Sequence, residues 1–395
     1  MAPVGWAGTN YAVLHSFGAS GDGAVPSGPL LQDKQRNIYG VTGGGPGQYG
    51  YGVAFELTPQ ANGKWKEAIL HTFASGDGRP WGAFVRDQAG NLYGTTDGGP
   101  DSNSEAFELS PISGGWSFGA LYTNGAGPGI LLDKLGNLFG LMGPGDYFGL
   151  GAIGELSPGS DGWTYTQLYS FNCDNHCADG EPPFNPVSWD TEGNFYGTAL
   201  RGGYLNGGAG YGVAYELSRS REPSTGSLTW TYHLMHTFGL GDTPADGQNP
   251  YSSVVVDRQG NVYGSTLVGG GTANAGTLFK IAPTAPGQWS ETVLFNFPTF
   301  ANGAGPQGDL VRDAAGALYG VTQGGGSSAC QYGCGVVFKL KPTAHGKWKY
   351  SVLHTFNGKD GWDPIGLTID DKGNLFGVTT NGGPYNEGVA FEITR

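Results

Sequence analysis

Nowhere along the 395 residues do apolar positions keep the three-and-four spacing of an amphipathic helix. They come as short runs of Val, Leu, Ile, Tyr and Phe, alternating or continuous, cut off each time by Gly, Asn, Asp or Pro, which is the pattern of β-strands joined by tight turns. An aromatic-Gly pair recurs seven times, at Tyr39-Gly40, Tyr93-Gly94, Phe139-Gly140, Tyr196-Gly197, Tyr263-Gly264, Tyr319-Gly320 and Phe376-Gly377, with a period of 46 to 67 residues. An Asp-x-x-Gly-Asn turn precedes each pair, as in Asp87-Gln88-Ala89-Gly90-Asn91, with departures at Arg36 and Ala317. The glycine supplies the positive φ that a tight hairpin needs.

Around this core each unit repeats four strand patterns: xGxLxxD, GNLYGxT, a Gly-Gly loop into GVAFEL, and WxxxxLHTF. Six internal copies of the fourth carry a Trp six residues before a His or an aromatic: Trp65/His71, Trp116/Tyr122, Trp163/Tyr169, Trp230/His236, Trp289/Phe295 and Trp348/His354. The chain ends just after a third-strand pattern, Phe391-Glu392-Ile393, while an orphan fourth strand, Tyr11 to Phe17, stands at the N-terminus. Together the two ends complete one unit. The pattern therefore predicts an all-β, seven-bladed β-propeller of four antiparallel strands per blade, closed by the N-terminal strand completing the last blade. It is read as one domain, residues 1–395, with units at about 18–73, 74–123, 124–171, 172–238, 239–297, 298–356 and 357–395 plus 1–17. An open solenoid is the alternative, but it would not need complementary termini.

Composition agrees. Glycine makes up 75 residues, yet 38% of the chain is hydrophobic and 13% aromatic, so the glycines read as turns in a chain with a large core rather than as disorder. A net charge of −13 disfavours nucleic acid as a partner. No stretch of about 18 apolar residues offers a membrane span. The start, Met1-Ala2-Pro3-Val4-Gly5-Trp6, lacks the features of a signal peptide and reads as a mature or trimmed end.

The YGxTxxGG pattern followed by GxxFxL, for instance Tyr93 to Gly99 and then Phe107-Glu108-Leu109, resembles the GloVer repeat of bacterial surface and secreted proteins with varied C-terminal anchors. The resemblance covers essentially the whole chain. It implies a propeller and a secreted or cell-surface location, and it carries no catalytic signature.

Connectivity puts the loops before the first strand and between the second and third strands on one face, which is expected to be the working face. Each unit sends an Asp/Asn-Gly turn there: Asp22, Asp77, Asn124, Asp179, Asp246, Asn302 and Asp360, each followed by Gly. Five carboxylates near a channel mouth would suit a cation such as Ca2+, although Asp-Gly is also a plain turn former. No organic cofactor is expected. Residues peculiar to one unit are freer to serve a ligand: Arg79, Trp81, Glu181, Asn249, Tyr251, Trp362 and Asp363 after the turns, with Tyr49, Tyr51, Asp146, Tyr147, Arg201, Tyr204, Tyr211, Tyr332, Tyr385 and Glu387 in the second loops. Aromatic faces among carboxylates and amides match sugar rings, though Tyr also simply fills Gly-rich loops. Arg79, Trp81, Tyr147, Tyr204, Asn249, Tyr251, Trp362 and Tyr385 are the candidate binding residues. Glu181, Asp363 and His176 are the candidate catalytic ones, Glu181 with Asp363 or Asp179 as the carboxylate pair of a glycosidase, or His176 with a Tyr as acid and base of a lyase.

Cys173/Cys177 and Cys330/Cys334 form two C-x3-C pairs in loops of this face and are expected to be local disulfides; a zinc site with His176 is the alternative, disfavoured because a whole unit separates the pairs. His15, His71, His236 and His354 share one repeat position with Tyr and Phe and are assigned to packing, so no metal site is expected. The functional expectation is an exported, monomeric propeller binding a glycan or other polar ligand at the channel mouth. A polysaccharide lyase or glycoside hydrolase on the same face is the second reading, and an intracellular adaptor a weaker third.

Overall fold

The structure is a computed structural model that describes residues 10–45, 50–98, 104–143, 151–171, 177–181, 186–203, 210–240 and 245–394. Among these there is no α-helix, only two short 3-10 turns, Phe300–Asn302 and Ala344–Gly346. The strands form antiparallel meanders in chain order, named here sheet 1 (residues 24–72), sheet 2 (79–122), sheet 3 (126–170), sheet 4 (188–237), sheet 5 (248–296), sheet 6 (304–355) and sheet 7 (362–394). Sheet 7 takes its outermost strand from the other end of the chain: Asn10–Ser16 pairs with Val389–Thr394 from Asn10↔Thr394 to Ser16↔Val389. Sheets 6 and 7 also touch through a parallel bridge between Asp309 and Gly366. The arrangement is an all-β, propeller-like fold.

Each sheet buries side chains against the next. Tyr39, Phe73, Phe84 and Phe107 form a core between sheets 1 and 2, and further clusters follow between each successive pair up to sheets 6 and 7, where Tyr319, Phe356 and Phe391 meet. A last cluster joins the two ends of the series, packing Leu30, Val53 and Phe55 of sheet 1 against Phe17, Phe376 and Ala390 of sheet 7. Six phenylalanines that immediately follow an outer strand, Phe17, Phe73, Phe171, Phe238, Phe297 and Phe356, are at most 3% exposed. At about 25 cal/mol per Å2 of apolar area, each such ring is among the larger single contributions to stability.

The aromatic-Gly signature has a steric cause. A Cβ on Gly40 would lie 2.5 Å from Phe55 Cζ, and one on Gly377 would lie 2.5 Å from Phe391 Cζ. The glycine leaves the space that the aromatic of the third strand fills. The hairpin Asp explains the other half of the motif: Asp33 Oδ1 accepts the N–H groups of Gln35 (2.9 Å) and Asn37 (2.8 Å), and Asn37 Nδ2 donates to Asp33 Oδ2 (3.1 Å). The same bonds recur at Asp190 and Asp370. Gly90, Gly136, Gly193, Gly260, Gly316 and Gly373 occupy the left-handed turn position, and Arg36 takes it in sheet 1 with φ 71°.

Candidate functional site

At the end of the fold that carries the Asp-Gly turns, the outer strands prove to be chemically busy. In every outer strand a β-bulge comes just before the His/Tyr/Phe position, as between Val13 and His15 or Ala214 and Tyr215 opposite Leu234 and His236. A bulge re-aims the following side chain. His15 Nε2 thus lies 3.0 Å from Asp22 Oδ2, His71 3.4 Å from Asp77, His236 3.1 Å from Asp246 and His354 3.1 Å from Asp360, while Tyr169 donates its hydroxyl to Asp179 at 2.6 Å. The five predicted cation-binding carboxylates are therefore engaged within their own turns.

The residue four places earlier on the next outer strand covers this pair. Tyr11 stacks on His354 at 3.8 Å, Phe118 on His71 at 4.5 Å, Tyr165 on Tyr122 at 4.7 Å, Tyr232 on Tyr169 at 4.9 Å and Tyr350 on Phe295 at 4.2 Å. Three of these tyrosines also donate to the turn carbonyl beneath them, Tyr11 to Asp360 (2.5 Å), Tyr232 to Asp179 (2.7 Å) and Tyr350 to Asn302 (2.5 Å). Burial pushes the hydroxyls of Tyr11, Tyr232 and Tyr350 far above the usual tyrosine range, so they stay protonated donors. The histidines thus pack between sheets, as expected. Glu67 and Glu291 take the covering position at two junctions, and both carboxyls are pushed up to about 7, chiefly by burial.

The predicted site residues are spread around this end. Glu181 follows the Gly180 turn, its N–H donating to Arg201 O at 3.0 Å. Asp363 is held on sheet 7 by Gln307 Nε2 (2.8 Å to Oδ1) and Thr380 Oγ1 (3.0 Å to Oδ2), and its carboxyl is raised, mainly by burial. Glu181 stands in the loop before sheet 4, and Asp363 on the first strand of sheet 7. Arg79 N–H donates to Asp97 (3.2 Å), Asn249 Nδ2 donates to Leu200 O (3.1 Å), Trp362 packs on the core between sheets 6 and 7, and Tyr251 and Tyr385 are 37% and 53% exposed. Trp81 is half-buried with its indole N–H unpaired. His176, Cys173, Tyr147 and Tyr204 lie outside the described residues. Cys330 and Cys334 form the expected disulfide; Cys177 is also disulfide-bonded.

A ligand-sized space lies at the opposite end, among the Asp-x-x-Gly-Asn hairpins. An open groove of about 1090 Å3 runs over the hairpins of sheets 3, 4 and 5 and is lined by Phe139, Trp189, Trp230, Tyr196, Leu228, Arg219 and Arg221, with Asp133, Glu155, Asp190 and Glu216 among them. The local sequence explains it. At two other junctions the residue preceding the hairpin Asp is an arginine, Arg86 over the Tyr39 ring and Arg312 over the Tyr263 ring. Between sheets 3 and 4 both partners change, to Phe139 and Trp189, whose rings lie 6.0 Å apart. Trp189, Phe195 and Trp230 then stack in series, at 6.3 and 5.1 Å. Tyr196 donates to Asp190 (3.1 Å) and Glu216 (2.9 Å), and Phe139 lacks the hydroxyl to do the same for Glu155. Arg219 is fixed along one wall by its Nε–H to Glu192 O (2.6 Å), where Gly193, at φ 84°, leaves room that a Cβ 2.5 Å from the guanidinium carbon would take. Trp189 was legible as the one aromatic at its repeat position, but only the fold shows which face it occupies. Deep at the inner strands, Ser253 donates to Asp309, whose carboxyl burial raises.

Residues 206–395 match the model of the Gloeobacter/Verrucomicrobia repeat. Residues 206–395 carry this repeat. No curated protein matches it. Among solved structures, a protein from Lactobacillus plantarum is 14% identical with a TM-score of 0.51, over 96% of this chain and 90% of that one. A Thermus thermophilus protein described as a candidate oxidoreductase (glucose dehydrogenase) is 12% identical with a TM-score of 0.47, over 98% and 100% of the two chains. A candidate gluconolactonase gives 12% and 0.42, over 98% and 93%. At these identities the likeness concerns the fold. The Tyr-Gly, Asp and His positions of residues 206–395 fall within this match.

Proposed function

We propose that the chain is a closed seven-bladed β-propeller, exported from the cell, that binds a glycan in the groove floored by Trp189 and Trp230. Closure is supported by the core between sheets 1 and 7 and by the pairing of Asn10–Ser16 with Val389–Thr394. Export is supported by the Cys330–Cys334 disulfide, since such bonds persist in oxidising compartments. The observation that carries the binding reading is the meeting of Phe139 and Trp189, the one aromatic before a hairpin Asp, directly under the groove of about 1090 Å3. An apolar ring floor offers the C–H faces of a sugar a stacking surface, and the arginines and carboxylates around it can meet hydroxyls. The site thus sits opposite the face expected from loop length.

A glycan array with the full chain, followed by fluorescence titration of the hits, tests this. Trp189→Ala is expected to weaken binding about tenfold, equivalent to about 1.4 kcal/mol, while Asp363→Asn leaves it unchanged. Failure of every polysaccharide to bind, or equal affinity of Trp189→Ala, would remove the groove reading. Hydrolysis or elimination products from a bound glycan would restore the enzyme reading.

A further inference from the structure

We propose that His15, Asp22 and Glu67 form a binding site for a divalent first-row transition-metal ion, zinc above all, at the junction between the N-terminal strand and sheet 1. The site lies at the Asp-Gly end and is independent of the groove. One ligand atom from each residue falls within a sphere where all lie within 4.8 Å of one another, and among the described residues this trio alone does so. His15 Nε2 is 3.0 Å from Asp22 Oδ2 and 3.6 Å from Glu67 Oε1. Ligands bonded at about 2.0–2.1 Å to a tetrahedral zinc ion stand roughly 3.3 Å apart, midway between those two distances.

The surroundings favour an ion over a simple ion pair. Asp22 turns its other oxygen to the Gly23 N–H at 2.6 Å, which orients the carboxylate in the way outer hydrogen bonds orient metal ligands. The three side chains are 20%, 5% and 17% exposed, sheltered but leaving a side open for a fourth ligand such as water. Glu67 Oε1 is closed off from solvent and faces His15 and the Asp22 carboxylate rather than water. At two other histidine junctions the covering residue is Phe118 or Tyr11, rings that stack on His71 and His354 and offer no ligand atom there, and at the third Glu291 covers His236 without its carboxylate closing into a comparable group of three ligand atoms among the described residues. Glu67 therefore replaces a packing contact with a ligand aimed at an existing His–Asp pair. A dication between them would compensate both carboxylates. One imidazole nitrogen and two carboxylate oxygens suit zinc or its neighbours, whereas Ca2+ takes six to eight oxygens.

The test uses the full, untagged chain, stripped with chelator, dialysed and titrated calorimetrically with ZnCl2. One equivalent is expected to bind, with a rise in Tm. Glu67→Tyr, which installs the repeat's own covering residue and so preserves the fold, is expected to weaken that binding at least a hundredfold. Glu291→Tyr, at the junction of His236 and Asp246, is expected to leave it intact. The proposal fails if wild type binds no zinc, if Glu67→Tyr binds as wild type does, or if CaCl2 binds the same site more tightly than ZnCl2.

Discussion

Glu105 immediately precedes the third strand of sheet 2, Ala106–Ile112, at a position held by Val53, Val213, Val336 and Val389 in four other sheets, each 0% exposed. It is itself 5% exposed, with Oε1 lacking any hydrogen-bond partner, and its carboxyl is pushed up to about 7 by burial and by Asp77. Because the folded pKa lies above the unfolded one, the folded state holds a proton that the unfolded state releases. Stability from this group is present below the unfolded value near 4.3, falls as pH rises toward 7, and is gone above that. A rise of roughly 2.5 units at 1.36 kcal/mol each caps the cost of ionised Glu105 at about 3 kcal/mol, and relaxation toward water reduces it to about 1–2 kcal/mol. Glu105→Val removes this cost and adds the residue the repeat packs there. For a chain of this length, with about 2.1 cal/mol/K of unfolding entropy per residue, about 2 kcal/mol corresponds to roughly 2–3 °C in Tm. Scanning calorimetry of both proteins at pH 4.5 and pH 8 measures it. The Val variant should gain little at pH 4.5 and the full increment at pH 8; an equal gain at both, or a loss at pH 8, would refute the buried-carboxylate argument.

Deleting residues 1–17 should unravel sheet 7, since Asn10–Ser16 supplies its outer strand and Phe17 part of the closing core; an unchanged melting curve by circular dichroism would show that closure is not needed. Tyr350→Phe removes the 2.5 Å bond to Asn302 O while keeping the stack on Phe295, so a loss of about 1 kcal/mol is expected in denaturant titration. Arg36→Gly relieves a left-handed turn residue and should stabilise by up to about 1 kcal/mol, less the weak pairing of Arg36 with Glu392 at 3.6 Å; a destabilised variant would mean that pairing dominates.

Strands, turns and their order within each unit were legible because they rest on local chemistry. The Gly beside Tyr39 makes room for an aromatic of the adjoining strand, and the Asp at 33 binds amides two and four residues on. A repeat states such rules many times over. His15, His71, His236 and His354 likewise declared themselves as packing residues by recurring. The partners across sheets were not legible: nothing near His15 in the chain announces that Glu67 rather than a ring will cover it, because that meeting depends on how one sheet docks on the next. The groove is the same kind of fact. Trp189 stands out in the sequence, but its effect comes from Phe139, 50 positions away and brought beside it by the stacking of sheets 3 and 4, and from Trp230, 41 positions away and aligned with it through Phe195 within sheet 4. Local bonding wrote the strands into the sequence, while docking between sheets, which sums many weak contacts over long separations, decided where a ligand or an ion would find a place.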